Sequence, residues 1–154
     1  MIKKFKDFFS KRKETQQELD EMLDAAIRSN EYDTFVDYIK KGADINKHVD
    51  DPSYDTFSKL KYGTPLISCI FCKSKPKFIK HLIDCGVDLY DQPINIINLI
   101  TNMYKKSDLP IHSYGSDFRD ISNDGKEINN YILEKCPDYV EHWELKNDAD
   151  KYNL

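Results

Sequence analysis

Cys69 and Cys72, framed as Cys69-Ile70-Phe71-Cys72, are the first residues in this chain whose type and spacing could do chemistry. A Cys-x-x-Cys pair binds zinc or exchanges disulfides. A structural zinc site takes four ligands, and neither a second such pair nor a suitably spaced histidine pair follows. A redox pair sits where a strand turns into a helix, whereas this one lies inside the apolar run "ISCIF". There a cysteine serves as a small hydrophobe. His48, His81, His112 and His142 fall at no metal-binding spacing. Asp44, Asp50, Asp51 and Asp55 gather carboxylates but have neither the spacing nor the closing glutamate of a calcium loop, so they read as a solvated acidic loop. No glycine-rich phosphate loop, Gly-x-Ser-x-Gly or His-Glu-x-x-His occurs. The expectation is a protein that is no enzyme and uses no cofactor or metal.

The elements that hold these residues are short and helical. Leu19, Met22, Leu23, Ala26 and Ile27 recur at the spacing of one helix face, and Ser29-Asn30 breaks the pattern. Tyr32, Phe35, Val36 and Ile39 mark a second helix, which Gly42 can end in a left-handed cap. The pattern then recurs. Leu66, Cys69 and Ile70 begin a face, "CKSKPK" interrupts it, Phe78, Ile79, Leu82 and Ile83 make the next, and Gly86 ends it. A weaker third ending is Ile132 to Tyr139, preceded by Ile94, Ile97, Leu99, Ile100 and Met103 as material for a helix. Repetition at this length indicates stacked helical hairpins.

Three short motifs carry a resemblance. "GTPL" at 63–66 opens a hairpin, and "GADIN" at 42–46 and "GVDLY" at 86–90 close two of them. Together they resemble the ankyrin repeat. The resemblance implies an all-α solenoid: Gly63 permits the turn into the helix, Thr64 caps its free amides, Pro65 fits the first turn, and Leu66 is the first core residue. The expected organisation is a single domain over 1–154. It has a basic N-terminal helix (1–18), repeats at 19–46, 63–90 and 91–140, and a cap or tail at 141–154. Loops are inserted at 47–62 and at about 103–126. The chain departs from the family in several places. Gly42 to Gly86 spans 44 residues, against a period of about 33. Asp20-Glu21-Met22-Leu23 stands where the first "GTPL" belongs, only Gln92-Pro93-Ile94 opens the third repeat, and Cys136 replaces its closing glycine.

Composition narrows the function. Charged residues are 32% of the chain and aromatic ones 12%, so the chain is polar yet too aromatic for wholesale disorder. The net charge of -4 is unevenly spread: residues 1–13 hold six basic side chains and one acid. An acidic body gives no reason to expect nucleic acid. The basic head, with Phe5, Phe8 and Phe9, has no secretory core; it either covers the end of the stack or touches an anionic membrane surface. With no signal segment expected, the cysteines read as reduced and the protein as cytoplasmic. The two insertions carry the candidate partner-binding residues: Asp50, Asp51, Tyr54, Asp55, Phe57 and Tyr62 in the first, and Tyr114, Asp117 and Phe118 in the second, where Tyr104 is a further loop aromatic. Tyrosine supplies contact area at small entropic cost, although these rings can equally fold back on the solenoid. The resemblance implies a protein-binding module. A small acidic chain of this kind is similar to stoichiometric inhibitors such as bacterial immunity proteins, which would meet a partner with a basic patch. A membrane-associated adaptor is the alternative.

Overall fold

The computed structural model describes residues 13–47, 64–105 and 121–152. Among them it is all-α, with seven helices: α1 (Gln16–Arg28), α2 (Tyr32–Lys41), α3 (Pro65–Phe71), α4 (Pro76–Asp84), α5 (Ile96–Met103), α6 (Asn123–Lys135) and α7 (Tyr139–Tyr152). The expected all-α class is what the structure shows. Residues 1–12 and Gly63 lie outside the described part.

Local chemistry sets each boundary. The Thr15 side chain and Glu18 form a reciprocal capping box at the start of α1. Thr64 Oγ1 accepts from the Ile67 amide, 3.3 Å away, ahead of Pro65. Asn95 and Ser122 cap α5 and α6 in the same way.

The first two hairpins share their turns bond for bond. At the first, the Asn30 amide donates to Ile27 O and the Glu31 amide to Ala26 O; at the second, Lys73 donates to Ile70 O and Ser74 to Cys69 O. Asn30 (φ 57°) and Lys73 (φ 49°) hold the left-handed position. The closings match too. Gly42 and Ala43 donate to Ile39 and Tyr38 carbonyls, while Gly86 and Val87 donate to Ile83 and Leu82. Gly42 (φ 100°) and Gly86 (φ 84°) supply the left-handed backbone that a side chain would strain. Cys69 thus occupies the place of Ala26, and both are buried.

The third closing is different. Cys136 keeps a negative φ and leaves the helical region (φ -132°, ψ 77°), as a residue that carries a Cβ and precedes proline must avoid the left-handed and helical wells. The chain goes straight into α7, whose Tyr139 is fully buried and whose Trp143 is nearly so. The Tyr139 hydroxyl accepts from the Ile96 amide at 2.8 Å, tying this cap to the first turn of α5.

Helix packing forms two rows. α1, α3 and α5 lie side by side, α4 packs on α6, and each hairpin's helices pack on each other. α2 joins the second row through rings: Phe35 and Phe78 stand 4.9 Å apart, and Tyr32 meets Phe78 edge-on at 5.2 Å. One continuous apolar core runs from Leu19 to Trp143. No hairpin could bury its faces alone, so each is stabilised by its neighbours.

Three expectations need correction. Met22, read as a core residue, is 45% exposed, because Leu19, Leu23, Ala26 and Ile27 already fill the buried stripe. The boundary expected between an N-terminal helix (1–18) and the first repeat (19–46) falls inside one helix, since α1 starts at Gln16, where Thr15 and Glu18 supply the cap. Residues 123–126, expected in the second insertion, form the first turn of α6 under the Ser122 cap.

Candidate functional site

All nine residues singled out as partner-binding lie outside the described residues. Asp50, Asp51, Tyr54, Asp55, Phe57 and Tyr62 fall between Lys47 and Thr64, and Tyr114, Asp117 and Phe118 between Lys105 and Ile121. What the structure places is the roots of the two insertions. The first leaves from the end of the stack where hairpins close, after α2. The second leaves from the opposite end, between α5 and α6. The 7 residues of α3 and 8 of α5 put these ends roughly 10 Å apart at 1.5 Å per residue.

The root of the second insertion is a built neck. Lys105 and Ile121 form an antiparallel bridge, and the Ser122 amide donates to Tyr104 O at 2.6 Å. Tyr104, read from sequence as a loop aromatic, is instead buried, and its hydroxyl donates to Ser74 O at 2.7 Å. Burial pushes its pKa well up. Gly125 lets this neck close. A Cβ there would sit 2.7 Å from both Tyr104 Cβ and Ile121 Cγ1.

The root of the first insertion is held by a buried carboxylate. Asp20, only 3% exposed on α1, accepts from the Asp44 amide (2.8 Å), Gln16 Nε2 (2.9 Å) and Lys47 Nζ (2.8 Å). Burial alone would raise its pKa. The donors from Lys47, Asp44 and Gln16 outweigh it and hold the carboxyl below its ordinary value.

From Asp44 a row of side chains runs along the closing end. Asp44 Oδ1 accepts from the Asn46 amide (2.9 Å), and Asn46 Oδ1 accepts from the Asp88 amide of the next hairpin (2.8 Å). Asp88 Oδ1 accepts from the Tyr90 (2.9 Å) and Asp91 (3.0 Å) amides, and the Tyr90 hydroxyl donates to Asp138 Oδ1 (2.6 Å). The residue four past each closing glycine therefore reaches the aspartate of the following closing. Asp44, Asp88, Asp91 and Asp138 are exposed. Among the described residues none of them forms an ion pair. Sequence reasoning missed this row, although the repeated Gly-x-Asp-x-[Asn/Tyr] spacing was its signal.

The α2–α4–α6 row differs, because its charges are internally matched. Lys80 pairs with Glu127, Tyr131 donates to Asp84, Lys41 pairs with Asp37, and Lys77 Nζ lies 4.2 Å from the Tyr32 ring centre.

Cys69 is fully buried, and burial pushes its thiol far above the ordinary value; Cys72 is raised too, by burial first. A thiolate is disfavoured at both. His81 is half-buried against Tyr32 and Phe35, and His142 lies edge-on to Tyr90 at 4.9 Å. Among the described residues no three His, Cys, Asp or Glu side chains converge to hold a metal, and no helix is long and apolar enough to cross a membrane. No family model, curated protein or solved structure matches this chain.

Proposed function

We propose that the chain is a short ankyrin-type scaffold that binds another protein without catalysing a reaction, and that it acts in the cytoplasm as a stoichiometric inhibitor of the immunity-protein kind. The observation that carries this reading is the hydrogen-bonded row Asp44, Asn46, Asp88, Tyr90 and Asp138. Its carboxylates are exposed and fixed by backbone and side-chain donors, with no cation paired to them among the described residues. They are preorganised, so a partner need not spend binding free energy on ordering them. Cationic side chains on a partner's surface would complement them; the expected partner-binding residues Asp50, Asp51 and Asp55 lie outside the described residues.

The test is capture of a partner on immobilised protein, followed by affinity measurement with Asp88→Lys and Asp138→Lys. Both positions are exposed, so the fold should survive. Association should weaken by about tenfold or more in either variant and fall as salt is raised, since complementary charge acts mainly through encounter. A partner that binds both variants as tightly as the wild type, indifferent to ionic strength, would overturn the proposal.

A further inference from the structure

At the opposite end of the stack the second hairpin carries the other sign of charge. Its turn and the first two residues of α4, 72–77, hold Lys73, Lys75 and Lys77 with no acid among them, in a chain of net charge -4. The turn is rigidly mounted. Lys73 takes left-handed backbone, the Lys73 and Ser74 amides are bonded to Ile70 and Cys69 carbonyls, and Ser74 O accepts from Tyr104. The Tyr104 bond also brings Lys105 to the same edge. Lys41, Lys47, Lys80 and Lys135 all reach carboxylates. Lys73, Lys75 and Lys105 are exposed and form no ion pair among the described residues.

The neighbouring turn ends carry carboxylates. Glu31 and Asp33 stand at the start of α2, and Asp124, with Lys126 two residues on, in the first turn of α6. Hairpins pack about 10 Å apart, so the lysines form a narrow strip between carboxylates. A planar anionic surface such as a membrane would meet both signs along this edge. A single extended acidic chain laid over the middle turn would meet the lysines alone. We propose that this edge docks a short Asp/Glu-rich segment of a partner protein. The inference goes beyond the function proposed above and does not rest on it, because its test needs no native partner.

The probe is a fluorescein-labelled oligoglutamate peptide, read by fluorescence anisotropy on the full chain at low salt. Wild type should bind it, and raising salt to about 0.5 M should abolish binding by screening. Lys73→Glu/Lys75→Glu should weaken binding by about tenfold or more, whereas Lys146→Glu/Lys151→Glu, an identical charge change on α7, should leave it within about twofold. Lys73→Gln/Lys75→Gln, which adds no repulsion, should fall between them, and circular dichroism checks that each variant is folded. Equal weakening by the α7 pair would show attraction without a site and overturn the proposal. So would absence of peptide binding, or co-sedimentation with phosphatidylserine vesicles that depends on Lys73 and Lys75 while the peptide does not bind.

Discussion

Replacing Asp20 with asparagine should cost the fold about 1–2 kcal/mol at neutral pH, and the deficit should disappear in acid. Asparagine keeps the shape and one acceptor, so the Asp44 amide can still be satisfied. What is lost is charge. A hydrogen bond to a charged acceptor contributes about 1.5–3 kcal/mol against about 0.5–1.5 for a neutral one, so the buried 2.8 Å bond from Asp44 loses about 1 kcal/mol. The Lys47 ion pair adds little, since its side chain is 41% exposed and such pairs contribute about 0.2–1 kcal/mol. The carboxyl is depressed in the folded state, so its contribution is fully present above the unfolded value of about 3.9 and is lost as pH falls through the folded one. Urea titrations followed by circular dichroism at neutral pH and near pH 3 would measure this. A variant as stable as wild type at neutral pH, or a deficit that persists unchanged in acid, would contradict a stabilising charge on Asp20.

Gly125→Ala should destabilise by about 1–3 kcal/mol through overpacking, although alanine is the better helix former by about 1 kcal/mol, because the added Cβ meets Tyr104 Cβ and Ile121 at 2.7 Å. Thermal unfolding decides the sign. Gly42→Ala should lose about 1–2 kcal/mol from left-handed backbone alone, since nothing lies within 4 Å of the new Cβ; a neutral result in the same assay would contradict the φ of 100°. Under native conditions iodoacetamide should label exposed Cys72 and Cys85 and spare buried Cys69, read by peptide mass spectrometry; labelling of Cys69 as fast as Cys72 would contradict its burial.

Local signals made much of the fold legible. Gly42 and Gly86 end helices because only they take the left-handed backbone cheaply, and Thr64-Pro65 starts one through its cap and ring geometry. The start of α1 is also written locally, in Thr15-Gln16-Gln17-Glu18. Nothing next to Asp20 in the sequence marks it as buried. Its burial depends on the Asp44 amide, 24 residues away, arriving opposite it. Tyr104 sits beside polar loop residues, and only the Ser74 carbonyl 30 residues earlier gives its hydroxyl a buried partner. The beginning of α6 was hidden because Gly125 and Asn129 lie on its buried side and blur the apolar period. The acidic row was half legible: the aspartates repeat in sequence, but their bridging by Asn46 and Tyr90 is a property of the stack.

Neighbouring hairpins hold each other folded through a shared seam. A double-mutant cycle across that seam, Phe35→Leu with Phe78→Leu, tests it most directly by equilibrium unfolding. Rings 4.9 Å apart on different hairpins should show a coupling of about 0.5–1.5 kcal/mol. Single losses that add to within about 0.3 kcal/mol would mean the two hairpins do not meet there, and the stacked scaffold would be contradicted.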